Sequence, residues 1–464
     1  MQRKKNETVQ YNGITEGVIW QQLLIFFFPI LFGTFFQQLY NMADTIIVGR
    51  YVGADALAAV GSTGTVMFLL NGFAQGITAG FAVLTSQRYG AKKMDGVRQS
   101  VSNGILLSLI GAIGFTAASL LFMRPLLHLM NTPENIFAQA YEYISLISLG
   151  MVANVFYNLF SSYLRAVGNS RMPLVFLVLS ACLNVVLDLI LIINFKMGVA
   201  GAAWATNLSQ AISAVLCAVY IYKKVPALIP EKRHWRFHKG DTRYQLATGI
   251  PMALQFAITS SGTMVMQSAI NLFGSEAVAA YTAAGKIHGL LTQGMVAMGQ
   301  TMAVYSGQNY GKGDAGRIRQ GVRAALIIEV IYSVASAVVV SAALGPSLGL
   351  FFSGEVDLAA MMPWARTYTT ICTLFYVPLC TIFIFRNTMQ GCGYGFLPMM
   401  GGVVELAARL IVAVIAMDIH SYWLACACDP AAWVGAGLFT GISYLYVIKK
   451  IEKNLGKGTA VHKS

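Results

Sequence analysis

Apolar runs of about 20 residues, separated by short polar segments, recur along the whole chain. A helix of about 20 residues crosses a hydrocarbon core of about 30 Å. The pattern therefore predicts an all-α integral membrane protein with twelve transmembrane helices. The predicted spans cover residues 18–49, 56–86, 97–123, 137–163, 173–194, 199–222, 243–272, 277–309, 319–343, 360–388, 397–418 and 431–449.

Composition agrees with this class. Of 464 residues, 56% are hydrophobic and only 11% are charged. The first apolar run, from about Val18, is long enough to span and has no small-residue cleavage site, so we expect a retained helix and no signal peptide. The net charge of +13 lies mostly in loops between apolar runs, which excludes the continuous basic face of a nucleic-acid-binding protein.

The basic residues alternate between the two sides of the predicted membrane. Segments on the side of the N-terminus hold 26 of the 32 Lys and Arg residues, and the opposite side holds four. By the positive-inside rule, both termini of this multi-pass protein are predicted to be cytoplasmic.

The two halves of the chain repeat each other. Residues 53–59 and 274–280 share a pattern, as do residues 87–90 and 308–311, and both pairs are offset by 221 positions. Chance matches would not keep nearly one offset over such a distance. Two further pairs hold nearly the same register: Pro29 with Pro251 at 222, and Gly168 and Pro173 with Gly393 and Pro398 at 225.

The repeat predicts the domain organisation. Each half holds six spans, an even number, so the halves are related as parallel repeats by an axis along the membrane normal. We expect two six-helix lobes around a central cleft, an arrangement that recurs in secondary transporters. The predicted N-lobe is residues 1–222, a basic cytoplasmic linker is residues 223–242, and the C-lobe is residues 243–464.

Three polar residues of the first half fall at one depth. Asp44, Asp188 and Thr206, on the first, fifth and sixth spans, each lie about 10–15 Å below the outer boundary at 1.5 Å per residue. An acid at the centre of a membrane helix costs about 2.5–3.5 kcal/mol on insertion scales, so it implies a function. Asn184 lies four residues before Asp188, on the same helix face.

These oxygens fit a coupling ion. Carboxylates, an amide oxygen and a hydroxyl are ligands for a hard alkali cation, and two neighbouring acids in a low dielectric also suit proton binding. The alternative is that Asn184 and Thr206 make ordinary interhelical hydrogen bonds and that the acids face a water-filled cleft without coupling anything.

The second half does not repeat this polar group, so the cation chemistry is predicted to be confined to the first half. At the repeat offsets, Asp44 corresponds to Val265 or Met266, Asn184 to Arg409, and Asp188 to Ala413.

Other polar residues have less specific interpretations. Gln37, Tyr40 and Asp44 share one helix face, and a similar stripe runs along the fourth span at Asn154, Asn158 and Ser161; such stripes line a cleft or join helices. Glu405 and Arg409, four residues apart, are predicted to form an ion pair within one helix. Lys286, His288 and Glu329 read as isolated groups.

Together these features resemble the multidrug and toxic compound extrusion (MATE) transporters of bacteria, along almost the whole chain. The similar segments are Asn41-Met-Ala-Asp-Thr-Ile-Ile-Val-Gly49, Ala56-Leu-Ala-Ala59, Gln87-Arg-Tyr-Gly90, Leu164-Arg-Ala-Val-Gly168 before Pro173, and Asn184 and Asp188 followed by Thr206.

The resemblance implies roles for several residues. Asp44, Asn184, Asp188 and Thr206, with the backbone near Ala202, correspond to an N-lobe site for a proton or for Na⁺ as the metal ion. Pro29 corresponds to a bend in the first helix, and Gln37, Tyr40 and Asn158 to residues of the substrate cleft. Acids found in the seventh and tenth spans of some members are missing here, where the seventh span has Gln255 and Ser261, so a C-lobe cation site is not expected.

The predicted function is secondary antiport, in which organic cationic or amphipathic compounds leave in exchange for Na⁺ or H⁺ by alternating access. We expect a monomer in the bacterial inner membrane with no cofactor beyond the coupling ion. The alternative is a flippase for a lipid-linked headgroup, which shares the superfamily architecture but often has fourteen spans and a basic cavity. No HExxH, GxSxG or paired-His motif supports an enzyme.

Overall fold

A computed structural model describes residues 13–130, 132–351 and 358–456. These residues form almost only helices, with no strand among them. The basic tails that contribute to the predicted orientation lie largely outside the described residues. The α-helices are α1 (Ile19–Tyr51), α2 (Ala54–Ser62), α3 (Gly64–Gly90), α4 (Met94–Leu129), α5 (Glu134–Leu149), α6 (Met151–Ala166), α7 (Arg171–Asp188), α8 (Gly198–Lys224), α9 (Lys239–Ile270), α10 (Gly274–Lys312), α11 (Ala315–Phe351), α12 (Leu358–Leu374), α13 (Tyr376–Gly391), α14 (Phe396–Asp418) and α15 (Tyr422–Gly456).

Three predicted spans are interrupted helices. The pairs α2–α3, α5–α6 and α12–α13 each form one span, which gives twelve spans in the described part of the chain and confirms the predicted fold class. Eight described helices pass a test of length and apolarity for crossing a membrane, or ten spans when the bent pairs α5–α6 and α12–α13 are included. Helices α9 and α10 are long enough but more polar.

Gly150 explains the bend of 46° between α5 and α6. A Cβ atom at this position would lie 1.9 Å from Oδ1 of Asn207, so only glycine fits against α8 there. The Asn207 side chain in turn donates a hydrogen bond of 2.7 Å to the carbonyl of Leu146, a group near the end of α5. The bend is therefore stabilised by an interhelical side chain.

The bend of 49° between α12 and α13 follows from proline. Pro378 has no N–H to donate to the carbonyl of Leu374, so the helical hydrogen-bond ladder is broken at the junction. The backbone N–H of Phe375 bonds instead to the carbonyl of Cys372, three residues back.

The chain folds into two compact units. One contains residues 28–256 and the other contains residues 17–27 and 257–463, within the described ranges. The unit of residues 28–256 has two buried apolar clusters, around Tyr143 and around Tyr163. The second unit has a cluster that contains Tyr376 and Trp433. Each lobe therefore has its own apolar core.

Glycines on α3 explain why the first part of α9 belongs to the unit of residues 28–256. Gly72, Gly76 and Gly80 are spaced four apart, so they share one helix face. Cβ atoms at these positions would lie 2.3–2.9 Å from α9 at Phe256, Ala253 or Met252, and Gly249. Such small residues let two helix backbones approach closely in a membrane, and here they allow α9 to pack against α3.

The linker between the halves is held by charges on the N-terminal half. Arg98 near the start of α4 pairs with Glu231 at 2.5 Å, and Asp95 lies 3.0 Å from the His234 ring. Arg88 forms two hydrogen bonds of 2.6 and 2.7 Å to Asp241. The linker and the start of α9 therefore pack with the unit of residues 28–256.

Candidate ion-coupling site

The two predicted coupling acids meet inside the N-terminal half. The carboxyl groups of Asp44 on α1 and Asp188 at the end of α7 lie within hydrogen-bond reach of each other. Asp188 is fully buried and Asp44 is 8% exposed. Oδ1 of Asp44 is buried and receives no hydrogen bond from the described residues. This oxygen can therefore take a proton or coordinate a cation.

The predicted amide and hydroxyl ligands are also close together. Nδ2 of Asn184 on α7 lies 3.3 Å from Oγ1 of Thr206 on α8, to which it donates a hydrogen bond. Both side chains are buried, and Ala202, one turn before Thr206, is fully buried as well. The alternative interpretation of Asn184 and Thr206 as an interhelical hydrogen bond is thus present in the structure, beside the acids.

Three further polar side chains lie around the two acids, Asn184 and Thr206. Tyr40, one turn before Asp44 on α1, hydrogen bonds to Thr206 and to Gln210 on α8. The buried Tyr143 of α5 interacts electrostatically with both acids and with Tyr40. We name Tyr40, Asp44, Tyr143, Asn184, Asp188, Thr206 and Gln210 the N-lobe polar group.

Tyr143 and Gln210 were missed at the level of sequence. Gln210 lies four residues after Thr206, so helical spacing could have identified it. Tyr143 could not be found in this way, because an aromatic residue in an apolar span usually belongs to the core.

A π-helical turn lies directly after Asp188, at Leu189–Asn194. Such turns are rare and concentrate at functional sites. Here the turn changes the helical register of α7 at the acid. Gly201 on α8 provides the space, since a Cβ there would lie 3.1 Å from the side chain of Ile192. The irregular backbone therefore coincides with the buried carboxyl pair.

The predicted cleft residues are not gathered at one place. Gln37 is exposed on α1, whereas Tyr40 belongs to the N-lobe polar group. Asn158 on α6 donates hydrogen bonds to the backbone and side-chain oxygens of Asn154, and Asn154 donates at 3.0 Å to Asn71 on α3. Asn158 is therefore part of an amide network that joins α3 and α6.

Pro29 lies inside α1, which is helical on both sides of it. Without an N–H, Pro29 cannot bond to the carbonyl four residues earlier, which weakens the helix there. Residues of α1 up to Phe27 belong to the unit of residues 17–27 and 257–463, and those from Phe28 onward belong to the unit of residues 28–256. The proline thus stands next to the point where α1 passes from one unit to the other.

The C-terminal half holds a different buried charge cluster. The predicted pair of Glu405 and Arg409 is confirmed, with Oε1 and Nη2 2.8 Å apart. A third residue was not predicted: Asp429 on α15 accepts a hydrogen bond of 2.7 Å from Nε of Arg409. All three residues are at most 7% exposed. We name them the C-lobe charge triad.

Asp429 was not predicted because the predicted boundary of the last span was wrong. The apolar run predicts a last span of residues 431–449, which leaves Asp429 outside the predicted helix. The structure instead runs α15 from Tyr422 through Pro430. Asp429 therefore lies in a helix and is buried beside α14.

The three groups predicted to be isolated have different surroundings. His288 on α10 lies 2.9 Å from the Tyr376 hydroxyl and stacks on Trp433, as expected for a satisfied core histidine. Glu329 on α11 is fully buried, and neither of its carboxyl oxygens has a hydrogen-bond partner in the described residues. Lys286 is exposed on α10.

No group of three His, Cys, Asp or Glu residues that could hold a metal lies in the described residues. The N-lobe polar group falls outside such a definition, because it supplies two acids together with an amide and hydroxyls. Oxygen ligands of this kind suit a weakly held alkali cation or a proton more than a resident transition metal.

Two helical lobes, each with its own core and its own buried charges, are the construction of a membrane transporter. The chain belongs to the MatE family, whose model matches residues 29–190 and 251–415, one stretch in each half.

Relatives and solved structures agree with this membership. The chain is 31% identical over 306 residues to the probable multidrug resistance protein YpnP of Bacillus subtilis, covering 66% of this chain and 68% of the relative. It is 25% identical over 432 residues to the probable multidrug resistance protein NorM of Thermotoga maritima, covering 89% and 88%. A crystal structure of MATE in complex with MaL6 matches with a TM-score of 0.87 and 22% identity, covering 97% of this chain and 100% of that chain, which shows the shared fold.

Proposed function

We propose that this protein is an antiporter that exports organic cationic or amphipathic compounds in exchange for Na⁺ or H⁺ bound at Asp44 and Asp188. The observation that carries the proposal is the approach of two buried carboxyl groups from α1 and α7. The relatives named multidrug resistance proteins support the substrate class.

Ion binding would act through the energy of the carboxyl pair. Two carboxylates that are close together in a low dielectric repel each other, and a bound proton or cation removes this repulsion. An ion drives a conformational switch only if it binds one conformation better than another. The pair provides such a preference, because its oxygens come from two helices and their distance changes if α1 moves relative to α7.

Pro29 is the proposed bend in α1. A helix bends at low energetic cost where a proline removes a backbone hydrogen bond. Since α1 changes its packing unit between Phe27 and Phe28, a bend there would let the Asp44 segment move while residues 17–27 stay packed. Gln37 and Asn158 remain proposed cleft residues.

The test is ion-driven efflux from vesicles by the Asp44→Asn variant. Right-side-out membrane vesicles that contain the protein are loaded with a fluorescent organic cation, and Na⁺ and pH gradients are imposed separately. We expect one of the two gradients to drive transport by the wild type. We expect Asp44→Asn to reduce this transport to the level of vesicles without the protein, because an amide cannot exchange a proton or balance a cation.

Asp55→Asn is the matched control. Asp55 is exposed in the first turn of α2, eleven residues from Asp44, so the same chemical change there should leave transport intact. Folded Asp44→Asn protein that exports at the wild-type rate under both gradients would contradict the proposal. The gradient that drives the wild type identifies the coupling ion.

A further inference from the structure

The C-lobe charge triad occupies the place in the C-terminal half that the N-lobe polar group occupies in the first. Helices α7 and α14 begin at Arg171 and Phe396, an offset of 225, and this offset pairs Asn184 with Arg409. The lysine pair Lys223-Lys224 at the end of α8 matches Lys449-Lys450 on its counterpart α15, at an offset of 226. This offset pairs Ala203 with Asp429. Both residues of this interhelical ion pair therefore correspond to positions in or beside the N-lobe polar group.

Large and small side chains are also exchanged between the N-lobe polar group and the C-lobe charge triad. At the offset of 222 that relates Pro29 and Pro251, Tyr40 corresponds to Gly262 on α9. Tyr40 fills its place beside Thr206, which bonds to Asn184. A Cβ atom at Gly262 would lie 2.7 Å from Nη1 of Arg409. In the first half, the large side chain of Tyr40 accompanies the small amide of Asn184. At the corresponding places in the second half, Gly262 accompanies the large guanidinium group of Arg409.

The guanidinium is enclosed by acceptors from two helices. Glu405 on α14 holds Nη2 and Asp429 on α15 holds Nε, while Nη1 is buried against Gly262 without a hydrogen-bond acceptor among the described residues. Two carboxylates and the Arg409 guanidinium alone would leave one net negative charge, and Arg386 on α13 also interacts electrostatically with Glu405. Two buried carboxylates without a cation would be strongly unfavourable, so a positive charge is needed between them.

We infer that Glu405 and Asp429 form a monovalent cation site that is permanently filled by Arg409, so that the C-lobe binds no exchangeable ion. The guanidinium is covalently fixed to α14 and cannot leave, whereas Asn184, at the equivalent position, is neutral. Ion exchange is thereby confined to the N-lobe. The inference deepens the proposed coupling and rests on it only in assigning the exchangeable ion to Asp44 and Asp188.

Removing Arg409 should therefore open the site to a small cation from solution. Arg409→Ala leaves the two carboxylates and a gap of the size of a guanidinium group. Methylguanidinium is the closest soluble substitute for the lost group, and Na⁺ or a proton is a smaller one. The experiment uses the Asp44→Asn/Asp188→Asn background, in which the N-lobe polar group no longer contributes an ion-dependent signal.

The readout is thermal unfolding of the purified full-length protein in detergent, with choline chloride holding ionic strength constant. In this background we expect no specific shift by NaCl or methylguanidinium at constant pH. With Arg409→Ala added, we expect methylguanidinium in large excess to raise the midpoint by about 2 °C or more, as for any ligand that binds only the folded state. Arg409→Lys, which keeps a fixed cation, should show no such shift.

Two results would overturn the inference. One is a folded Arg409→Ala protein that neither methylguanidinium nor Na⁺ stabilises beyond the choline control at constant pH. The other is an equal shift when Glu405→Gln and Asp429→Asn are added, since neutral amides leave no cation site. If Arg409→Ala does not fold, the test moves to the variant Glu405→Gln/Arg409→Ala/Asp429→Asn. Recovery of folded protein in this variant supports the inference, and its failure to fold contradicts the inference.

The proposed coupling fails separately. Na⁺-dependent stabilisation that persists at constant pH in the Asp44→Asn/Asp188→Asn protein with native Arg409 would remove the N-lobe assignment. The difference between Arg409→Ala and Arg409→Lys in methylguanidinium would still report on the C-lobe.

Discussion

The N-lobe polar group and the C-lobe charge triad show how one repeated scaffold carries two electrostatic designs. Both lie where corresponding helices meet, at α7 with α8 and at α14 with α15. The first contains two acids with a neutral amide at Asn184, and the second contains two acids around Arg409. The repeat therefore preserves helix positions, while a few side chains change the buried charges. Under the proposed function, these side chains decide whether a half responds to ions.

The largest predicted difference between the halves is in stability. Arg409→Met should lower the free energy of unfolding by about 3–5 kcal/mol, because breaking a buried ion pair leaves uncompensated carboxylates. Methionine keeps much of the aliphatic volume, so the effect reports mainly on charge. Chemical unfolding in mild detergent, followed by tryptophan fluorescence, measures it.

The matched change in the other half is Asp44→Asn. It removes one of two neighbouring acids without leaving a lone cation, so a loss of less than about 1 kcal/mol is expected from a change that relieves like-charge repulsion. Equal losses for Arg409→Met and Asp44→Asn would mean that the two clusters do not differ as described.

A second difference concerns the ends of α3 and α10, which carry the repeated motif. In the motif at residues 87–90, Arg88 donates to Asp241 and to the carbonyl of Gly96 at 2.8 Å. In the equivalent motif at residues 308–311, Arg88 is replaced by Asn309, which accepts a hydrogen bond of 3.1 Å from Arg317 of the following helix.

Arg88→Gln should therefore destabilise the protein by about 2–3 kcal/mol, because Asp241 is only 6% exposed and loses its bidentate partner. Arg317→Gln should cost about 1 kcal/mol, since its bond to Asn309 is to a neutral group. Thermal unfolding of the two variants side by side measures the contrast. A larger loss for Arg317→Gln would show that the charges at the ends of α3 and α10 do not contribute to stability in this way.

The depth of polar residues along the predicted spans is enough to place Asp44, Asn184, Asp188 and Thr206 near one another from the sequence alone. The reason is physical: a polar group buried in a membrane is costly without a partner, so one shared depth favours contact. The bend at Gly150 could not be predicted in this way, because glycine is common in membrane helices and only Asn207 on another helix shows why it is needed here.

Asp429 was missed for a related reason. Proline usually marks a helix end, and local sequence cannot show that packing against α14 continues α15 through Pro430. The pairing of Asp429 with Arg409 compensates part of this local cost. The residue is therefore recognised only as a partner across two helices.

A smaller effect than that of Arg409→Met or Arg88→Gln tests the glycine that makes room for Arg409. Gly262→Ala places a Cβ atom 2.7 Å from Nη1 of Arg409. The Arg409 side chain cannot easily move away, because hydrogen bonds hold its Nε and Nη2. Overpacking of this kind costs about 1–3 kcal/mol, while alanine in place of glycine returns up to about 1 kcal/mol of helix propensity. We therefore expect a net loss of about 1 kcal/mol in chemical unfolding.

Gly33→Ala is the control in the first half, because its Cβ atom would meet Leu177 at an ordinary 3.4 Å. It should be neutral or slightly stabilising. In an Arg409→Ala background, Gly262→Ala should lose its penalty, since the guanidinium that it displaces is gone. A double-mutant cycle measures this coupling directly. If Gly262→Ala lowers the free energy of unfolding equally with and without Arg409, the glycine serves only the packing of α9. The exchange of large and small side chains between the two halves then contributes nothing to stability.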